Sequence, residues 1–377
     1  MSGLYIHIPF CHHKCTYCDF HFSVNTRTLK KVIDGIVKEI RDRKDYLNTH
    51  KLETIYFGGG TPSILSGKDW TKIFIELSSV YDWDKNAEIT VECNPEDINM
   101  EYLCMLKDMG VNRISLGVQS LDDEVLKWMG RIHTAEQSMQ SIKYIQQSEI
   151  ENFSVDIIFG IPGYPKEKLK KDLTILFDTF QPKHISAYQL TIEPRTKLNY
   201  LVKTKQLKMS DDEKVSEEFL MIQEMLLKRS FLHYEVSNYA LPGYMSRHNS
   251  SYWMQKKYCG IGPSAHSYNG EERRWNVANN YLYAKKVMNN EVYYESEYLS
   301  EKQKFNEYMY TRLRTIYGCN IDEIFQMFGD AYKQHFLKIY QKNAEYFDVD
   351  ENSKIFKLNP QKGYLLADRI ALNFIYV

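Results

Sequence analysis

Nowhere in the 377 residues is there an apolar run near the roughly 18 residues that a membrane-spanning helix requires, and the first residues lack the basic and hydrophobic regions of a signal peptide. A cytoplasmic location is the expectation. An excess of charge is missing as well. There are 48 Lys and Arg against 49 Asp and Glu, a net charge of −1, so no overall field would gather nucleic acid, and only a peripheral membrane contact stays open. Cysteine is scarce: seven in a chain of this length, unevenly placed, exclude a disulfide framework. Cys93, Cys104, Cys259 and Cys319 stand alone and read as small buried hydrophobes, whereas Cys11, Cys15 and Cys18 crowd together.

What is present describes an ordinary folded protein. An apolar fraction of 43% with 26% charge suffices for one large core, and the length leaves material for a second, smaller domain. The 29 tyrosines serve as half-buried core residues and can also line a pocket for a flat ligand.

The first half alternates short β-branched or aromatic runs with longer amphipathic stretches, the pattern of βα units around a parallel sheet. Strands are predicted at 4–8, 54–57, 88–92, 113–118, 154–159 and 184–190, with helices near 27–46, 67–80, 99–109, 134–148 and 165–179. Right-handed crossovers would curl these α/β units into a partial (β/α)6 TIM-like barrel, an arc with one open side; an open doubly wound sheet is the alternative. After residue 190 the rhythm yields to a charged helix near 211–229, a segment rich in Tyr, Gly and His at 233–270, and then mostly helices. The expected division is a barrel with an extension over 1–290 and a small C-terminal domain over 297–377. That domain reads as helices near 301–315, 320–328 and 330–347, a hairpin around 359–363 and a last helix, a winged-helix-like order. Its 11 basic and 11 acidic side chains leave no electrostatic footprint for phosphates, so a packing or lid role is expected instead of DNA binding.

Cys11, Cys15 and Cys18 directly follow the first strand in a C-x-x-x-C-x-x-C spacing. Three soft thiolates in one short loop can hold three corners of a [4Fe–4S] cubane, which leaves the fourth iron without a protein ligand. A zinc site completed by His7, His12, His13 or His21 is the alternative, although zinc fingers usually present two separated ligand pairs. Other polar signals fall in or after the C-terminal portions of later strands, which a barrel gathers around one mouth. They are Gly58-Gly59-Gly60-Thr61-Pro62, Glu92 with Asn94-Pro95-Glu96, Gln119, and Asp156. Singly, each has a plain explanation as a turn, an ion pair or a buried polar group. Together they supply amides and carboxylates for the amino group and ribose hydroxyls of an adenosyl amino acid.

These runs, with Tyr-Ile-His-Ile-Pro-Phe-Cys at 5–11, Arg-Ile-Ser-Leu-Gly-Val-Gln-Ser at 113–120, Asp-Ile-Ile-Phe-Gly-Ile-Pro-Gly at 156–163 and Gly-Ile-Gly-Pro-Ser-Ala-His at 260–266, cover nearly the whole chain. They resemble the radical S-adenosylmethionine superfamily, and within it the oxygen-independent coproporphyrinogen III oxidases and the HemW-type haem chaperones. The resemblance implies that the unligated iron chelates S-adenosylmethionine and that an electron, entering from an external donor, cleaves the sulfonium to a 5′-deoxyadenosyl radical. By matching position, Tyr5, Gly59, Gly60, Thr61, Glu92, Gln119, Arg131 and Asp156 would contact that cofactor, with Tyr17 beside the cluster. The oxidases extend the motif to C-x-x-x-C-x-x-C-x-C and carry an N-terminal extension, whereas here the last position is Phe20 and the first strand begins at Leu4. Both departures favour the chaperone branch, as does the H-N-x-x-Y run at 248–252. In that branch His248 would ligate haem iron, oriented by Asn249 and Tyr252, with His266 as a further contact. The expected function is a haem carrier that delivers to an acceptor protein; the alternative is an oxidase that decarboxylates porphyrinogen propionates.

Overall fold

The computed structural model describes residues 2–377. Strands β1 (Ser2–Ile8), β2 (Lys51–Gly59), β3 (Asp82–Cys93), β4 (Arg113–Gln119), β5 (Asn152–Phe159) and β6 (His184–Gln189) pair in parallel in that order. They are the six strands predicted from the sequence, with longer bounds for several. Leu4, Ile6, Ile8, Ile55, Phe57, Val91, Ile114, Leu116 and Val155 are completely buried along them. Helices α1 (Leu29–Asp42), α2 (Gly67–Val80), α3 (Met100–Asp108), α4 (Asp123–Met129), α5 (Ala135–Gln147) and α6 (Lys166–Ile175) make the connections. In α1 the spacing of Val32, Ile33, Ile36 and Ile40 puts one apolar stripe against the sheet layer. Capping boxes at Ser66–Asp69 and Thr134–Gln137 start α2 and α5 by satisfying their first free amides.

Helix α4 is absent from the sequence expectation, because seven residues are too few to show a period. Its ends are nevertheless well specified. Asp122 accepts the Glu124 and Val125 amides, and Gly130, at φ +76°, closes the helix in a conformation that side chains rarely adopt.

The sheet also extends past the six predicted strands. After β6 come α7 (Lys197–Lys203) and α8 (Asp212–Leu227), then β7 (Leu232–Glu235) and β8 (Asn238–Ala240), which add antiparallel strands beyond β6. Helix α9 (Arg247–Trp253) leads into β9 (Lys257–Ile261), which lies parallel to β1 on its other side as a seventh parallel strand. β10 (His266–Tyr268), β11 (Glu272–Asn276) and β12 (Tyr294–Tyr298) continue antiparallel, with α10 (Asn280–Met288) between the last two. The result is one open twelve-stranded sheet, ordered β12-β11-β10-β9-β1-β2-β3-β4-β5-β6-β8-β7, which makes the partial barrel. Mostly helices were expected after residue 270, where β11 and β12 lie. β11 and β12 read Glu-Arg-Arg-Trp-Asn and Tyr-Glu-Ser-Glu-Tyr, so they carry no apolar alternation to betray a strand.

The remaining residues form α11 (Glu301–Arg312), β13 (Cys319–Asn320), α12 (Ile321–Phe328), α13 (Asp330–Asn343), β14 (Phe347–Asp350), β15 (Ile355–Leu358) and α14 (Ala367–Asn373), with a three-stranded sheet ordered β13-β15-β14. The hairpin turns at 351–354, not at 359–363. Asp350 accepts the Asn352 and Ser353 amides and makes that turn, whereas Asn359 makes a similar turn that leads into a helical segment. Backbone bonds Val236 N–H to Arg314 O and Ile316 N–H to Tyr234 O, both 3.0 Å, tie this part to the barrel extension. Among the lone cysteines, Cys93, Cys259 and Cys319 are buried as expected, but Cys104 is exposed on α3.

A buried carboxylate joins α1 to the loop between β9 and β10. Glu39, wholly buried, accepts from the Gly262 amide (2.8 Å), Asn276 Nδ2 (2.8 Å) and the Tyr283 hydroxyl (2.6 Å), and pairs with Arg43 (3.3 Å). Arg43 in turn donates to Gly260 O (2.6 Å) and Ser267 Oγ (3.0 Å). Replacing Glu39 by Ala strands a buried guanidinium and three donors, so a loss of about 3–5 kcal/mol is expected, read as a lower urea midpoint; an unchanged midpoint refutes this role.

Candidate functional site

The cysteine loop is fixed by backbone contacts on three sides. The Gly60 amide donates to Ile8 O (2.9 Å) and the Thr61 amide to Phe10 O (2.7 Å), which clamps the end of β1 to the loop after β2. A Cβ on Gly60 would stand 2.6 Å from Phe10 O, and one on Gly59, at φ +108°, would stand 2.4 Å from the His7 ring. Only glycine permits this approach. Farther along, the Cys11 amide donates to Ser23 O (3.1 Å) and the Thr16 amide to Met129 O (2.8 Å) at the end of α4.

Cys11, Cys15 and Cys18 line one cavity of about 490 Å³. Tyr17 from the same loop, Gly59, Gly60 and Thr61 after β2, and Glu92 at the end of β3 share its wall. Gln119, Arg131 and Asp156 complete the set brought together from the sequence prediction. Tyr5 is the exception: it faces a neighbouring cavity.

Arg131 ties the loop to the strand ends. Its Nη2 donates to Asn94 Oδ1 (2.7 Å) and Gly117 O (2.9 Å), and its Nη1 lies 3.7 Å from Cys15 Sγ. α4 ends two residues earlier, at Met129, so the helix missed in the sequence is what sets this guanidinium beside Cys15. Glu92 accepts from the Tyr56 hydroxyl (2.7 Å) and the Gly59 amide (3.2 Å); burial, with Asp156 adding to it, pushes its carboxyl up to about 7. Burial raises Asp156 as well, and the hydroxyls of Ser186 and Ser115 partly offset the rise. Gln119 closes β4 with φ +66°, where the register with β5 shifts, so its side chain is aimed by an unusual backbone turn.

The donor set fits an iron–sulfur cluster. Burial first, and the neighbouring thiols next, push Cys11 up to about 12 and Cys18 up to about 11, so thiolates here require bound metal to balance them. Among the described residues no three His, Cys, Asp or Glu side chains are grouped as a single-ion site. The histidines available for zinc have other partners. His7 bonds the Tyr5 hydroxyl (3.0 Å) and His21 O (2.9 Å), His12 bonds Asp97 (2.9 Å), and His21 bonds Asn280 (2.7 Å). These contacts disfavour a Cys3His zinc site built on those three.

A larger cavity of about 950 Å³ adjoins the first and shares Asp19, Phe20, Glu92 and Tyr188 with it. Tyr5, Tyr56, Tyr252, Trp253, Tyr258 and Tyr310 line it, and the C-terminal part closes one side with Asn306, Glu307, Thr311 and Ile375. Phe20 is 68% exposed, a large apolar ring at the junction of the two spaces. In the sequence Phe20 stands out only as the residue in place of a fourth cysteine, and neither Tyr188 nor Ser115, which also line these spaces, is among the site residues expected from it. Tyr188 lies near the end of β6, where the strand-end rule would have found it.

His248 stands behind this lining. It is 1% exposed, and its ring bonds Thr54 Oγ1 (2.7 Å) and the Tyr252 hydroxyl (2.7 Å), with Tyr56 stacked at 5.1 Å. Glu88 accepts the Arg247 and His248 amides, both at 2.9 Å, which pins the start of α9. Burial, then Arg113, lowers the imidazole to about 3, so it is neutral. Both ring nitrogens are engaged, and Asn249 and Tyr252 are the members of the H-N-x-x-Y run that reach the cavity.

Comparison with known proteins agrees with this architecture. The model of the radical SAM superfamily matches residues 5–176. The heme chaperone HemW of Lactococcus lactis is 34% identical over 90% of this chain and 87% of its own length, and that of Bacillus subtilis is 29% identical over 98% of each. Coproporphyrinogen III oxidase (HemN) from Escherichia coli, described as a radical SAM enzyme, superposes with a TM-score of 0.84 over 99% of this chain and 90% of that one, at 21% identity, which speaks for the fold alone.

The partly buried Glu92 gives a pH signature. Its folded value of about 7 lies above the ordinary 4.5, so between those values the folded chain holds a proton that the unfolded chain has released. The Glu92 contribution to stability therefore falls as pH rises through this window, by about 3 kcal/mol in all, while neutral His7 and His248 contribute the opposite slope from about 4 and about 3 up to the ordinary 6.5, across most of the same window. The difference in urea midpoint between wild type and Glu92→Gln, followed from pH 4 to 8 without cofactor, should isolate the Glu92 contribution. A pH-independent difference refutes it.

Proposed function

The chain belongs to the HemW family of radical SAM proteins, and from that premise we propose that it carries haem in the larger cavity and, assisted by a [4Fe–4S] cluster and S-adenosylmethionine in the smaller one, transfers it to an acceptor protein. The observation that carries this reading is the adjacency of two unlike cavities. One is small, lined by three thiols, glycine backbone and carboxylates; the other is large, lined by aromatic rings, and suits a flat, mainly apolar macrocycle.

Cys11, Cys15 and Cys18 would hold the cluster, and Arg131 would balance part of its charge. When bound and reduced, the cluster supplies one electron to the sulfonium. Gly59, Gly60 and Thr61 allow backbone to approach the methionine part, and Glu92 and Asp156 offer acceptors for its ammonium and for ribose hydroxyls. Gln119 is aimed at the same space, and Tyr17 packs beside the thiols. Tyr5, from the other side, supports this wall through Tyr56, whose ring it stacks on at 6.1 Å. His248 reaches a haem iron only if Tyr252 gives up its bond and swings aside; otherwise it positions Tyr252.

Residues 1–290 would form the cofactor barrel with its haem-binding extension, and 297–377 a wall of the haem cavity. Among the described residues no helix is long and apolar enough to cross a membrane, in keeping with a cytoplasmic carrier served by an external electron donor. Nucleic acid has no part in this scheme.

Anaerobically prepared protein should contain about four iron and four sulfide per chain, and Cys15→Ser should lose the cluster absorbance. It should bind haem one to one and pass it to an acceptor. With coproporphyrinogen III, reductant and S-adenosylmethionine it should form no protoporphyrinogen. Decarboxylation without haem uptake would replace the carrier by the oxidase.

A further inference from the structure

Four histidines lie in or near the larger cavity, and their surroundings differ. His7 has both ring nitrogens engaged, and so does His248, which is not part of the lining. His21 has its Nε2 on Asn280, leaving one nitrogen. His266 lines the cavity and is exposed, and neither of its ring nitrogens has a hydrogen-bond partner among the described residues.

The backbone that carries His266 is held firmly. The Asn276 amide donates to Ala265 O (2.9 Å), the Gly260 amide donates to Ser267 Oγ (2.9 Å), and Ser267 is bonded to Arg43 (3.0 Å) in the buried Glu39 network. In the pairing of β10 with β11, His266 faces Trp275, and their rings stack at 6.3 Å and 27°. Partial desolvation on the cavity wall, then the charge of Arg273, lowers the imidazole below its ordinary value, so it offers a lone pair at neutral pH.

We infer that His266 is the residue that ligates the iron of haem in the larger cavity. The inference rests on the haem-carrier reading and deepens it by assigning the iron to an open imidazole on a fixed strand. A neutral imidazole is a good axial ligand, and here it needs no displaced partner. Tyr252, held by its bond to His248, is then part of the cavity wall and not a gate to the iron.

Ferric haem titrated into anaerobic holo-protein, followed by the difference spectrum and by electron paramagnetic resonance, tests this. Wild type should show a histidine-ligated signal. His266→Ala should lose that signal and weaken binding by about tenfold or more, free imidazole should restore the signal, and His266→Met should shift it to a thioether-ligated form. The imidazole rescue also shows that the variant is folded. Unchanged ligation in His266→Ala, or loss of the signal in His248→Ala or His21→Ala in its place, overturns the assignment and leaves the carrier reading standing. Failure of the wild type to take up haem removes the carrier reading, and this inference with it.

Discussion

The end of β1 and the loop after β2 approach more closely than any side chain between them would allow. Two backbone hydrogen bonds, from Gly60 and Thr61 to the carbonyls of Ile8 and Phe10, set where the cysteine loop begins. The loop after β2 thereby does two things: it fixes the direction in which the thiols leave the strand, and it turns unobstructed amides toward the same cavity. Every other contact of the site assumes this placement. Arg131 can reach Cys15 and the ends of β3 and β4 together only because the loop lies over that mouth.

Charge in this mouth is arranged around burial. Cys11, Cys18 and Glu92 are pushed toward their neutral forms, while Arg131 stays cationic. An empty site therefore avoids accumulating buried negative charge, and ligands that bring positive charge would favour ionisation where it is useful. Glu92 and Phe20 belong to the walls of both cavities. Filling the smaller space thus alters the surface that the larger one presents, without any need for a long path between distant sites.

Much of this was legible in the sequence, for identifiable reasons. Central strands are buried on both faces and show continuous apolar runs, and the thiol spacing and the strand-end residues obey local rules. What escaped depends on neighbours. β11 and β12 are charged edge strands without alternation, and α4 is too short for periodicity although its caps, Asp122 and Gly130, were visible. The H-N-x-x-Y run looked like an open-loop ligand and its orienting partners. In the fold it occupies α9, where His248 and Tyr252 lie one turn apart and bond each other. Tyr5 matched by position to the nucleoside site, yet its ring projects from β1 into the other cavity.

An arc that does not close keeps two rims, and a rim left uncovered is a template onto which a strand of another molecule could add. At one rim β7 is only four residues long, and the backbone bonds of Tyr234 and Val236 to Ile316 and Arg314 cover it. At the other, β12 sets Glu295 and Glu297 in solvent on either side of Ser296, so self-pairing of two copies would bring carboxylates together. The same polar composition that hid this strand from sequence inspection thus guards an incomplete barrel against polymerising along its own edge.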